Sequence, residues 1–377
     1  MPRPLLALPA RPRTARPVRR PWRAVAGVAV LAATLAGCGA VRLDTPPAEP
    51  PRPDAVEVQR QEEAILSAAI ADVARITDAG ADVAGVLARV AGNAEAHAGA
   101  LGGVWEPWPG GAPEGARTPE PVETPSATAT PEGVLGLLVQ GAASAREAAL
   151  TSTDDDLAAA LAAVSLSRAD DARRLAAALG VSADLPAGAP LTPEALLTHG
   201  PGEATVRLLD SARFAVETVA ARTDGAARER AWERAEHLQA LVDAALAAGA
   251  PDERSAAYDL GLVAQNAAAG PDAEPGADGA MGSHAGADGS GIPDADATAN
   301  SSESPDDDVA ADGFGVGDLT AEQAVAVGAE RSLLELWVAN IGRTPAGERE
   351  SVLAAAEHAA VQLRAWGGEL PALPGLG

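Results

Sequence analysis

Residues 152–180 read STDDDLAAALAAVSLSRADDARRLAAALG. Ser152, Thr153, Asp154, Asp155 and Asp156 stand where a helix start leaves N–H groups unpaired and its dipole positive, a place that hydroxyls and acids favour. Leu157, Leu161, Val164, Leu175 and Leu179 follow at helical spacing, and Gly180 supplies a stop. The stretch predicts a helix over 154–179 whose apolar face is made mostly of small residues. Such a face is stable only against other helices, and the rest of the chain supplies them.

Upstream, 133–150 predicts a helix that is separated from the first by a short turn. Two more helices precede it. In 55–78, Ile65, Ala69, Val73 and Ile76 keep helical spacing, with Leu66 and Ile70 alongside; in 81–101 the stripe is Val83, Val86, Leu87, Val90, Ala94, His97 and Leu101, ended by Gly102-Gly103. Between the two pairs lies 105–132, WEPWPGGAPEGARTPEPVETPSATATPE, rich in Pro and without helical period. Downstream, past a Pro/Gly linker at 181–201, the plan repeats. Helices are predicted over 203–222 (Val206, Leu209, Val216, Val219) and 226–248 (Trp232, Ala235, Leu238, Val242, Leu246), with a weak segment around Tyr258. An acidic Gly/Ser-rich insert at 270–317 follows, then helices over 320–341 (Val325, Ala329, Leu333, Leu336) and 347–366 (Val352, Ala355, Ala359, Leu363, Trp366).

No stretch carries the two-residue period of a strand, so the expected class is all-α. Short turns within pairs and long crossings between pairs are the connectivity of a ferritin-like four-helix bundle. The expected architecture is two such bundles in tandem with disordered linkers: 54–180 with its insert 105–132, then 202–377 with its insert 270–317. The insert's acids far outnumber its apolar groups, which is the composition of a segment that cannot bury a core.

The N-terminus reads differently. Residues 1–23 carry seven Arg and no acid, and Ala24–Thr34 is a short apolar run (AVAGVAVLAAT). Basic head, apolar core and small residues are the parts of a secretory signal, here 1–37, and the core is shorter than the ~20 residues a permanent span needs. Leu35-Ala36-Gly37-Cys38 resembles the lipobox of bacterial lipoproteins. The resemblance implies that the Cys38 thiol takes a diacylglycerol and becomes the first residue of the mature chain, followed by a Pro-rich tether over 38–53. The partner so implied is the membrane, reached through the lipid on Cys38, and the location is the extracytoplasmic face of the cell membrane. Arg19-Arg20 leaves both the general and the twin-arginine export routes open.

The formal charge of the chain is −25, and loss of the seven Arg of 1–37 takes it to −32. A field of that sign argues against a nucleic-acid partner. Cys38 is the lone Cys, so no disulfide remains and stability is expected from packing alone. Aromatic residues make up 2% of the chain, so the interior is expected to be dry and Ala-lined instead of carboxylate-lined.

The C-terminal half, about 203–377, resembles a ferritin-like domain of unknown function found in actinobacterial lipoproteins. The resemblance rests on AAAEHAAVQLRAWGGELPALPGL at 354–376, on Ala329-Glu330-Arg331 and on Tyr258 within Ala-Tyr-Asp-Leu. It implies a fold and an envelope location, because that family has no settled activity.

Ferritin-like oxidases place single Glu residues on two helices and Glu-x-x-His on the other two, since positions i and i+3 share a helix face. The first bundle offers Glu62 or Glu63 and Glu147 as single carboxylates. Its Glu95 and His97 are two apart and point in different directions, so no site is expected, and His97 is read as a partly buried, hydrogen-bonded residue. The second bundle offers Glu217, Glu233, His237, Glu330 and His358. Its Glu233 and His237 are four apart, the spacing of a surface pair, and Ala354 and Ala355 stand where a carboxylate should accompany His358. The expected reading is therefore no metal and no cofactor, with iron or manganese on those five residues as the alternative. Trp105 and Trp108, beside Pro, are candidates for docking an envelope protein or cell-wall partner, or for covering the open end of a bundle. The function expected is a lipid-anchored, non-catalytic binding or structural module; the alternative is a degenerate ferritin-like metal-binding protein or oxidase.

Overall fold

The computed structural model describes residues 53–103, 108, 124–186, 188–199, 205–268 and 319–376. These form helices, and no strand occurs among the described residues. In chain order they are α1 (Ala55–Ile76), α2 (Ala81–Ala100), α3 (Pro131–Thr151), α4 (Asp155–Ala178), α5 (Pro193–His199), α6 (Thr205–Arg222), α7 (Gly225–Ala247), α8 (Leu260–Ala268), α9 (Ala321–Ile341) and α10 (Glu350–Ala365). The all-α class is thus observed, with most ends within a few residues of those expected.

Local chemistry sets the starts. Asp54 accepts from the Glu57 amide at 2.9 Å, and Asp154 from the Leu157 amide at 2.8 Å. Thr320 and Gln323 form a reciprocal capping box, each side chain accepting from the other's amide. Two starts depart from expectation. Helix α3 begins at Pro131, inside the stretch read as non-helical, because Thr130 caps it and Pro in the first turn has no N–H to waste. Helix α5 lies within the expected linker 181–201, where Thr192 accepts from the Ala195 amide and Pro193 opens the turn. The weak segment at Tyr258 resolves into a non-helical Tyr258 and the short α8 just beyond it.

Helix α1 packs on α2 and α3, and α4 packs on α2 and α3. Farther along, α9 packs on α6, α8 and α10, while α7 packs on α5 and α6. At Gly328 the α8 backbone comes so near that an added Cβ would lie 1.8 Å from the Val263 carbonyl oxygen. All the described helices belong to one compact unit; Trp108 falls in another.

Helix α4 joins the two sets. Leu175 belongs to one apolar cluster with Leu66, Ile70, Leu87, Val90 and Leu138. Ala158, Leu161 and Ala162 belong to a larger one with Val338 and Ile341 of α9 and Leu353 and Ala356 of α10. Leu161, Ala162, Ala163 and Val164 are all fully buried. The single apolar face expected for this helix is therefore too narrow a description: every position of 157–167 except Ala160 is buried, as a run without charged residues should be. At the start of α4 the end of α9 is so close that a Cβ on Gly342 would meet the Asp155 carbonyl oxygen at 3.0 Å.

Candidate functional site

The interior between α1, α3 and α4 is not purely Ala-lined. Glu63 of α1 and Arg168 of α4 are both buried and face each other, with Arg168 Nη1 2.5 Å from Glu63 Oε2. The same guanidinium donates to the Gly141 carbonyl at 2.8 Å, the Ser67 hydroxyl at 2.8 Å and the Glu63 carbonyl at 3.1 Å. The second oxygen of Glu63 accepts from the Ser144 hydroxyl. Gly141 sits in mid-helix for this reason: a Cβ there would press on Arg168 Cδ at 3.2 Å and Ile70 at 3.4 Å. Burial pulls the Arg168 pKa down and the Glu63 charge pulls it back up. A buried ion needs partners of this kind, because it would otherwise cost several kcal/mol, on the order of its desolvation; here both terminal nitrogens of Arg168 are engaged, while its Nε is buried without a partner.

A second buried pair lies between α7 and α9. Arg234 grips Glu330 in a fork, Nε to Oε1 and Nη2 to Oε2, both at 2.8 Å, and Glu330 is fully buried. The expectation of a dry, Ala-lined interior stabilised by packing alone is corrected to the extent of these two pairs; Ala still makes up much of the buried core. Sequence periodicity missed them because Arg168 and Arg234 look like ordinary surface positions on Ala-rich helices.

The alternative metal set does not assemble. Glu330 has both oxygens taken by Arg234. Glu217 accepts from Arg213 Nη1 at 2.6 Å on its own helix. Glu233 is exposed and makes no ion pair with His237, whose Nε2 has no partner. His237 and His358 are half-buried, and burial followed by the Arg234 charge holds each pKa down at about 4. Among the described residues no three His, Cys, Asp or Glu converge as a metal would require. A cation added about 4 Å from Arg234 would meet repulsion of roughly 4 kcal/mol per unit charge at an effective dielectric near 20. As placed, Glu217, Glu233, His237, Glu330 and His358 do not share one coordination site. Ala354 has another use: the linker runs across it, with Ala189 N donating to the Ala354 carbonyl at 3.1 Å. Gly188 takes φ +72° there, and a Cβ would lie 2.4 Å from the His358 amide nitrogen.

The remaining candidates are spread out. Glu62 and Glu147 are exposed, as is Glu95. Trp108 is half-buried, with an indole N–H that has no partner. Cys38, Trp105 and the acidic insert 270–317 lie outside the described residues. No helix among the described residues is long and apolar enough to cross a membrane.

The C-terminal tail gathers polar contacts from several helices. After α10 the chain turns through Gly367 (φ +87°), and Trp366 and Leu370 are buried. Arg230 stacks over the Trp366 ring at 4.9 Å. Arg331 of α9 donates to the Glu369 carbonyl at 3.1 Å, Arg89 of α2 to the Leu370 carbonyl at 2.6 Å, and Arg174 of α4 to the Glu369 carboxylate at 3.2 Å. Asp170 faces Arg174 at 2.9 Å and Arg364 at 3.2 Å. Asp171 accepts from Asn93 at 3.0 and 2.9 Å; burial pushes its carboxyl up to about 6 against the pull of Asn93 and Arg89. Farther along, the Ala372 carbonyl lies 2.7 Å from His97 Nε2. That contact puts the ring proton on Nε2 and leaves Nδ1 buried without a partner. Burial and the Arg168 charge hold His97 down at about 3. His97 is thus hydrogen-bonded as expected, but wholly instead of partly buried. The tail straps α2 and α4 to α9 and α10.

Two further ties cross the same joint. Arg146 of α3 bonds Glu357 at 2.8 Å and Glu350 at 2.6 Å, both on α10. Arg349, fully buried, donates to four carbonyls: Ile341 at 3.0 Å, Thr344 at 2.8 Å, Ala149 at 3.0 Å and Ser152 at 2.7 Å. One guanidinium so neutralises the negative ends of α3 and α9 together. No protein-family model, curated protein or solved structure matches the chain.

Proposed function

We propose that this protein is a lipid-anchored, extracytoplasmic module without a catalytic centre, built as two ferritin-like four-helix bundles fused through α4. Its role is to hold a rigid helical body at the cell envelope for binding or structural purposes. The observation that carries the reading is the pair of buried salt bridges, Glu63–Arg168 and Arg234–Glu330. In each, an arginine supplies in permanent form the positive charge that a metal would bring to a carboxylate-lined bundle. The interiors are thereby cross-linked and closed to chemistry. Cys38 within Leu-Ala-Gly-Cys supports the anchor, and the charge of −32 after loss of 1–37 leaves the acyl chain to hold the protein on an anionic surface.

The test is elemental analysis of the purified chain with titration of Fe²⁺ and Mn²⁺. No stoichiometric metal is expected. Stoichiometric binding that disappears in a His237→Ala, Glu330→Ala double variant would establish the metal-binding alternative instead. For the anchor, Cys38→Ala should lose both the acyl mass and membrane association.

A further inference from the structure

A cavity of about 210 Å³ opens at the joint, between α3, α4, the 181–186 segment and α10. Its wall is mostly apolar, with Val139, Ala142, Leu166, Leu185 and Pro186 among the lining residues. Leu166 and Ala142 are buried, so the inner wall belongs to the rigid core and not to a fluctuating surface. A dry cavity of about 150 Å³ is enough to take up benzene, so this space suits a body of roughly six to ten heavy atoms.

The charges at its edge are of both signs, and they differ in how far they are already engaged. Arg146 is held by Glu357 and Glu350 of α10. Arg173 donates to the Pro186 carbonyl at 2.5 Å and lies in the fields of Asp170 and Glu357. Glu147 and Asp184 line the same cavity, are exposed, and have no ion-pair partner among the described residues. Arg173 keeps its charge, because its bond is to a neutral carbonyl, but the carboxylates Glu147, Asp184 and Glu357 outnumber the guanidinium groups Arg146 and Arg173 around the cavity, so the balance at the mouth is negative.

We propose that this cavity binds a small cationic amphiphile, an aliphatic or aromatic amine whose apolar body fills the space between α3, α4 and α10 while its ammonium group pairs with Glu147 and Asp184. The bound molecule bridges the two helical sets, since α3 and α4 form one side of the site and Glu357 of α10 forms another. The inference does not depend on whether the bundles are ferritin-like, and it concerns a site separate from their interiors.

The test uses the full-length chain carrying Cys38→Ser, which keeps acyl chains and detergent out of the measurement. Hexylamine, hexanoate and 1-hexanol are titrated calorimetrically. Hexylamine should bind saturably at one equivalent, 1-hexanol more weakly, and hexanoate not at all. Glu147→Gln combined with Asp184→Asn, both at exposed positions that folding does not need, should weaken hexylamine about tenfold, equal to about 1.4 kcal/mol. Ala143→Leu, at an exposed lining position on α3, should block entry while leaving the thermal melt unchanged. The proposal is overturned if hexylamine shows no saturation, if hexanoate binds as tightly, or if binding survives Ala143→Leu unaltered.

Discussion

Replacing Arg349 by Met tests whether the two helical sets are one folding unit. The side chain is fully buried and makes five contacts, four to carbonyls and one to the Asp155 carboxylate at 2.9 Å. Met keeps an unbranched stem as far as the Nε position and removes every donor. The Asp155 contact counts for little, because that carboxylate is 69% exposed and well solvated. The carbonyls decide the magnitude. The Ile341 carbonyl keeps the Thr344 amide as a donor at 3.2 Å, so the Thr344, Ala149 and Ser152 carbonyls carry the loss, and a buried group that loses its partner costs about 1–3 kcal/mol. Part of that is recovered where a carbonyl can reach water, so the expected loss is about 3–5 kcal/mol, in the range of a broken buried ion pair. Urea unfolding monitored by far-UV circular dichroism gives the number. Hydrogen exchange gives the place: protection should fall together at the end of α3 (148–152) and the end of α9 (340–344), which are far apart in sequence. Arg349→Lys, with three donors on one atom, should restore less than half of the loss. A change below about 1 kcal/mol, or loss of protection confined to α9, would show that Arg349 is not the shared cap argued above.

Other outcomes follow from the same contacts. Glu63→Gln and Arg168→Met should each cost about 3–5 kcal/mol, while the double variant costs clearly less than their sum; additive losses in denaturant titrations would mean the pair is not coupled. The folded pKa of His97, about 3, lies below its ordinary 6.5, so the unfolded chain binds the proton first and stability falls as pH drops below about 6.5; His97→Gln should flatten that part of the stability–pH curve. Asp171 works in the opposite sense: its folded pKa of about 6 lies above the ordinary 3.8, so its contribution is favourable at low pH and is lost as pH rises through about 6, and Asp171→Asn should remove that decline. Gly188→Ala should lower the melting temperature by several degrees, roughly 1–3 kcal/mol, because φ +72° and a Cβ 2.4 Å from the His358 amide cannot both be accommodated; an unchanged melt would mean the linker does not lie on α10.

The sequence alone determined the helices of this protein and the order in which they come. Periodic apolar residues and caps such as Asp54, Asp154 and Thr320 act within one or two turns, and local rules read them; α5 and α8 escaped because helices of seven and nine residues are too short to show a period. The candidate residues of the C-terminal half were legible as types, and their separation on different helices was too. What only the tertiary structure decided is which charges go inside and what they meet. Glu63 finds Arg168 over a separation of 105 residues and Arg234 finds Glu330 over 96, and nothing local distinguishes them from Glu62 or Arg230. The tail at 367–376 was visible as a motif, but its work as a strap depends on Arg89, Arg174 and Arg331, which three different helices bring to it. A helix needs only its own neighbours in the chain to form; a buried ion needs partners from distant parts of it, and so becomes readable only once the helices have packed.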